Sequence, residues 1–122
     1  MSSAGNFILD RLKAVRIAAK GFWILITTEK SIVIEVIIGI IMTFFGFLMD
    51  ISTTEWLFQI FAIGIILVAE SLNTAIEKMA DFIHPKYHKK IGLIKDVSAG
   101  AAFFAAIIAI IIGLIIYIPK FM

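Results

Sequence analysis

Apolar residues fill positions 32–49, with Glu35 as the one charged interruption. They return at Trp56 and continue past Ala69 in helical register, then fill 97–118 without a charge. A spanning helix needs roughly 20 apolar residues to cross about 30 Å of hydrocarbon. The pattern therefore predicts three membrane spans, at about 31–49, 54–83 and 93–118. Each must be a helix, because lipid offers no partner to an open backbone amide or carbonyl. The boundaries agree. Asp50 to Glu55 is a short polar connection, in which Ser52 and Glu55 have the spacing of a capping box. Trp56 stands where an interfacial aromatic belongs. His84-Pro85 ends the second span, since the residue before a proline avoids the helical region. Pro119-Lys120 is expected to close the third. Upstream, Ile8, Leu12, Val15, Ala19, Phe22 and Ile26 recur at helical spacing, while Lys13, Arg16, Lys20 and Thr27 gather on another face. That pattern predicts an amphipathic helix over about 5–28 lying on the membrane surface. A signal peptide is not expected, because charges continue where its apolar stretch should be. The fold class is an all-α membrane protein, one domain over 1–122, with an N-terminal amphipathic surface helix and three transmembrane helices.

Composition supports this and adds orientation. The chain has 122 residues, 61% of them hydrophobic, and a mean hydropathy of +1.06. A soluble domain this small cannot bury that much apolar surface. The absence of cysteine excludes disulfides, thiol nucleophiles and thiolate metal sites. Arg11, Lys13, Arg16, Lys20 and Lys30 precede the first span, and no basic residue occurs between Asp50 and Glu55. Lys78, Lys86, Lys89, Lys90 and Lys95 cluster around the connection of spans two and three, and Lys120 alone follows span three. The bias toward one side predicts a cytoplasmic N-terminus and a cytoplasmic second connection. No Walker loop or G-x-G-x-x-G is present, so ordinary nucleotide-binding folds are excluded. A nucleic-acid partner is not expected.

The chemistry concentrates on span two. Glu70, Asn73, Thr74, Glu77 and Asp81 fall at i, i+3, i+4, i+7 and i+11, which lines one helix face. Counting from Trp56, Glu77 emerges near the cytoplasmic interface and Glu70 lies roughly 10 Å deeper. An ionisable group at that depth is a functional candidate, with a helix–helix hydrogen bond as its alternative. Asp81 reads as a solvated end of the row. Glu29 is expected at the height of Glu77, and Glu35 one to two turns into span one. Two interfacial carboxylates suit Mg²⁺, which takes oxygen ligands and keeps phosphates or waters; an ion pair of Glu29 with Lys30 or another lysine is the equal alternative. Lys95 could reach a phosphate with Asp96 orienting it, or snorkel at a helix end. His84 and His88 lack metal-ligand spacing. Ser98, Ala102, Ala105, Ala109 and Gly113 form a small-residue stripe on span three, suited to close helix packing.

The run Ala69-Glu70-Ser71-Leu72-Asn73-Thr74-Ala75-Ile76-Glu77 resembles the E-x-x-N-[ST]-A-I-E signature of the prokaryotic diacylglycerol kinase family. Tyr87-His88 and Lys95-Asp96 follow at the family's spacing, and Glu29 and Glu35 match in position. The resemblance implies a homotrimer in a bacterial cytoplasmic (inner) membrane. Its sites would be shared between subunits, and the γ-phosphoryl group of Mg·ATP would pass to a lipid alcohol. It implies Glu70 as general base with Asn73 beside it, and Glu29 and Glu77 as metal ligands that also meet the nucleotide. Lys86, Tyr87, His88, Lys95 and Asp96 would be nucleotide contacts, and Glu35, Ser98 and Arg11 lie on the lipid side. Asp10 and Ile17 depart from the family, which often has an arginine and a tyrosine there; Arg11 is the candidate replacement for the arginine. Diacylglycerol is the acceptor expected first, with undecaprenol as the alternative, a branch that Thr54-Glu55-Trp56 and Ile118-Pro119-Lys120 resemble. Two other classes explain less. A small multidrug transporter requires a fourth span and a short N-terminus, and a non-enzymatic adaptor leaves the carboxylate row unexplained.

Overall fold

A computed structural model describes residues 3–122. The chain forms four helices: α1 (Ser3–Thr28), α2 (Lys30–Leu48), α3 (Thr53–Ile83) and α4 (Lys89–Phe121). The last three are long and apolar enough to cross a membrane. At 1.5 Å per residue, α2 is about 28 Å long, close to the hydrocarbon thickness, whereas α3 and α4 reach about 46 and 50 Å. The excess length of α3 and α4 lies largely at the end away from the α2–α3 turn. It carries residues near 77–83 and 89–96 past the level at which α2 begins.

The break between α1 and α2 is confined to Glu29. Its backbone is extended (φ −97°, ψ 111°) and its side chain makes no capping bond. Its amide still reaches the Leu25 carbonyl at 3.3 Å, and its own carbonyl accepts from Val33 at 3.0 Å. Just before it, the Thr27 and Thr28 hydroxyls donate back to the carbonyls of Trp23 and Ile24, each at 2.6 Å. α1 itself buries no residue.

At the opposite end, α2 closes with paired terminal bonds, Ile51 N–H to the Gly46 carbonyl and Asp50 N–H to the Phe47 carbonyl, both 3.2 Å. This requires the left-handed conformation at Asp50 (φ 51°), a role more often taken by glycine. The capping box then starts α3: Glu55 N–H donates to Ser52 Oγ at 3.1 Å, and Ser52 N–H donates to Glu55 Oε1 at 2.9 Å. Lys120 Nζ lies 3.1 Å from the same Glu55 oxygen. Deeper in, Gln59 is buried; its Nε2 donates to the Met42 carbonyl at 2.9 Å, and its Oε1 accepts from the Tyr117 hydroxyl. One side chain of α3 thus ties α2 and α4 together at this end.

α2 approaches α3 through two glycines seven positions apart. A Cβ on Gly39 would stand 3.1 Å from Ile63 Cγ2, and one on Gly46 would stand 2.7 Å from Trp56 Cη2. The main contact of α4 is with α3. Ser98 and Ala105 of the predicted stripe are buried, and Ala102 and Ala109 are half-buried. At Gly113 the stripe meets open space, where an apolar groove of about 560 Å³ opens between α2, α3 and α4.

Two boundaries differ from expectation. α4 continues through Pro119 to Phe121. Pro119 loses its own backbone bond and crowds the carbonyl one turn earlier, but only two helical residues follow it, so little of the helix is disturbed. α4 also begins at Lys89 rather than near 93, because His88 caps it: His88 Nδ1 accepts from the Lys90 amide at 3.1 Å.

Candidate functional site

The carboxylate row on α3 is graded in exposure. Asn73 and Thr74 are buried, Glu70 and Glu77 half-buried, and Asp81 exposed. Asn73 Nδ2 donates to Glu77 Oε1 at 3.3 Å, an i,i+4 contact that the helical period dictates. Asn73 Oδ1 is buried without a hydrogen-bond partner, as are Glu35 Oε2 and Ser98 Oγ. α2, α3 and α4 each contribute one of these atoms. Leaving a buried acceptor unpaired costs about 1–3 kcal/mol. Three such groups facing the bundle interior are costly features that membrane proteins keep where polar ligands or ions pass.

Glu29 stands half-buried against α3. Its Oε1 lies 2.9 Å from Lys78 Nζ, so of the two readings the sequence left open, the ion pair is formed in this chain, with Lys78 rather than Lys30. The ion pair brings the Glu29 carboxylate to Lys78, the residue that follows Glu77. Among the described residues no group of three or more His, Cys, Asp or Glu side chains is arranged to hold a metal ion. Magnesium needs no such cage; it is commonly held by one or two carboxylates together with substrate phosphates. Glu29 and Glu77 each engage one oxygen in a single contact, and an ionised carboxylate has about four lone-pair sites. The donor set therefore fits a phosphate-bound divalent cation.

Beyond the end of α3, a cleft of about 230 Å³ lies in the turn into α4, walled by Lys86, Tyr87, His88 and Lys95 among others. The structure thus gathers four of the seven predicted nucleotide contacts; Glu29 and Glu77 stand outside the cleft lining. It also adds Asp81, the outer end of the carboxylate row, and His84, Ile91 and Gly92, which spacing gave no reason to select. Asp96 does not line the cleft and is exposed. One sequence expectation is corrected here: Lys95 is oriented by Asp81, whose Oδ1 accepts its hydrogen bond, and not by Asp96; Asp81 is exposed, as expected, and is also paired. Neighbouring residues on a helix point about 100° apart and do not face each other, whereas antiparallel packing of α3 on α4 sets positions 81 and 95 side by side. Arg11 remains on exposed α1, its guanidinium 5.9 Å from the Phe7 ring centre.

Three helices able to cross a bilayer, a carboxylate row rising to one end of them and a cationic cleft beside that end describe a membrane protein equipped for an anionic ligand. The profile of the family "prokaryotic diacylglycerol kinase" matches residues 16–117, and the chain belongs to that family. It is an enzyme, a phosphotransferase acting on an alcohol group, and the family is one of lipid kinases. The chain is 37% identical over 103 residues to the undecaprenol kinase of Bacillus subtilis (strain 168), covering 84% of each chain. It is 32% identical over 63 residues to the diacylglycerol kinase of Escherichia coli (strain K12), covering 52% of each. Similarity to the diacylglycerol kinase of Synechocystis sp. is 38% over 56 residues, or 45% of this chain and 32% of the relative.

Proposed function

We propose that this chain transfers the γ-phosphoryl group of Mg·ATP to the hydroxyl of a membrane lipid alcohol, and that the alcohol is undecaprenol. The observation that carries the acceptor is the extent of likeness. Similarity to the Bacillus subtilis undecaprenol kinase runs over 84% of both chains, while that to the Escherichia coli diacylglycerol kinase stops at about half.

In this reading the acceptor hydroxyl sits beside Glu70, below the interface. Glu70 takes its proton as the new O–Pγ bond forms and the bond from Pγ to the bridging oxygen of ADP breaks. Phosphoryl transfer demands positioning and charge neutralisation more than covalent help. Glu29 and Glu77 would hold Mg²⁺, which supplies neutralisation of the phosphate charge when bound with ATP. Asn73 holds Glu77 through its amide, and Lys86, Tyr87, His88, Lys95 and Asp96 meet the nucleotide. Glu35, Ser98 and Arg11 lie on the lipid side, with Glu35 and Ser98 offering the unpaired oxygens already described. The apolar groove beneath includes Ile66, one turn of α3 below Glu70, and has room for part of a hydrocarbon chain.

The basic residues around α1 and the α3–α4 turn favour a cytoplasmic placement for both, in a bacterial cytoplasmic membrane. α1, with every residue unburied in a single chain, suits a surface helix resting on headgroups. A homotrimer with shared sites would account for Asp96, which one chain alone does not bring to the cleft.

Purified protein in lipid bicelles with radiolabelled ATP and Mg²⁺ tests the proposal, with undecaprenol and diacylglycerol offered in parallel. Undecaprenyl phosphate is expected as the main product. Phosphatidic acid as the main product would overturn the acceptor, and no labelled lipid from either alcohol would overturn the activity.

A further inference from the structure

The nucleotide cleft has an internal brace that its proposed ligand contacts do not explain. The connection from α3 to α4 runs only from His84 to His88, and it must turn the chain back antiparallel. Its polar backbone groups are taken up from both ends. The His84 amide continues the helix by donating to the Ala80 carbonyl at 2.9 Å. The His84 ring then turns forward, with Nδ1 at 2.7 Å from the Lys86 carbonyl oxygen. A carbonyl only accepts, so this nitrogen carries the proton. At the other end the His88 Nδ1 accepts from the Lys90 amide at 3.1 Å, which leaves the proton of a neutral His88 on Nε2. The two imidazoles meet edge to face with centres 5.1 Å apart.

Between them in the chain is Tyr87, 87% exposed, a high value for so large an aromatic. Its ring rests against α4 at Gly92: a Cβ there would stand 3.3 Å from Cε2 and 3.9 Å from Cζ and the hydroxyl oxygen. A side chain there would require the ring to give way by a few tenths of an ångström. One face of the ring is seated and the rest remains open beside Lys86 and His88.

We propose that His84 is a positioning residue of the nucleotide site: through the Lys86 carbonyl it sets the course of the connection and, with Gly92, holds Tyr87 in place to receive the nucleotide. This rests on the kinase reading above and adds to it a cleft-lining residue that acts through the chain it braces. A side chain already ordered before binding spares part of the ordering cost. Removing the brace therefore weakens nucleotide binding and leaves the transfer step and the lipid alone.

The test is a set of variants assayed for steady-state kinetics and, separately, for Mg·ATP binding by equilibrium dialysis without lipid. His84→Ala is expected to raise KM for ATP and the dissociation constant about fivefold, from loss of one internal hydrogen bond. kcat and KM for the lipid alcohol should stay within about twofold. His84→Asn, whose amide can donate to the same carbonyl, should restore most of the loss. Gly92→Ala displaces the Tyr87 ring independently and should raise KM for ATP in the same direction. In a Tyr87→Ala background, His84→Ala should add little, because the side chain it positions is gone. A His84→Ala protein with unchanged ATP binding overturns the inference. So does one in which kcat and both KM values worsen together without rescue by asparagine, the mark of general damage. Wild-type protein that binds ATP but phosphorylates no lipid alcohol would instead overturn the kinase reading, leaving the binding arm to decide the role of His84.

Discussion

A methyl group added at Gly46 would lie 2.7 Å from Cη2 and 3.0 Å from Cζ2 of Trp56, and 3.1 Å from Cδ1 of Ile51. None of these atoms moves cheaply. Trp56 is itself packed against Phe47, ring centres 4.8 Å apart, and Ile51 is a buried member of the core at this end. Overpacking of this kind costs about 1–3 kcal/mol. Replacing glycine by alanine inside a helix returns about 1 kcal/mol through backbone entropy. Gly46→Ala should therefore destabilise the protein by up to about 2 kcal/mol. Gly100 supplies the control, since nothing lies within 4 Å of a Cβ built there. Gly100→Ala keeps only the backbone gain and should stabilise by up to about 1 kcal/mol. The assay is equilibrium unfolding in mixed micelles with increasing SDS, read by far-UV circular dichroism and by tryptophan fluorescence. A Trp23→Phe background leaves Trp56 as the reporter. The two variants should move to opposite sides of the parent. A Gly46→Ala protein as stable as Gly100→Ala would refute the claim that α2 and α3 meet by close approach at this glycine.

Three further outcomes are expected. Glu70→Gln keeps shape and removes the base, so lipid phosphorylation should fall roughly 100-fold or more while unfolding in SDS is unchanged; near-normal turnover would remove Glu70 from the mechanism. Glu29→Gln frees Lys78 and deletes one of the two proposed metal ligands, so half-maximal activity should require more Mg²⁺; an unaltered Mg²⁺ titration would show that Glu29 is only the partner of Lys78. Gln59→Leu strands the buried Tyr117 hydroxyl and should cost about 1–3 kcal/mol, whereas Gln59→Leu combined with Tyr117→Phe should recover most of it. Additive losses in the double variant would mean that the two side chains do not bond to each other.

The spans, their ends near Asp50 and His84, and the capping box at Ser52 and Glu55 were all legible along the chain. Each depends on residues within one or two turns of each other and on the demand that a backbone in lipid satisfy its own hydrogen bonds. The row Glu70, Asn73, Glu77 and Asp81 was legible for the same reason, because the helical period alone puts those positions on one face. Local reasoning failed where it had to choose a partner. Asp96 is adjacent to Lys95 in sequence, yet Lys95 bonds to Asp81, fourteen residues earlier. Gln59 and Tyr117 carried no signal at all, since they stand fifty-eight positions apart and become partners only when α3 and α4 lie antiparallel.

Lipid makes helix formation a local decision, so the order of elements, their approximate lengths and the end at which the carboxylates emerge follow from the amino acids in turn. Which acid meets which base is decided by the azimuth of each helix and its register against the next, and these are set by close contacts such as Gly39 on Ile63 and Gly46 beside Trp56. Packing therefore chose Lys78 for Glu29 and Asp81 for Lys95. It also turned a short, basic connection into a braced cleft in which His84, an ordinary residue before a proline by sequence, holds the chain that carries Tyr87.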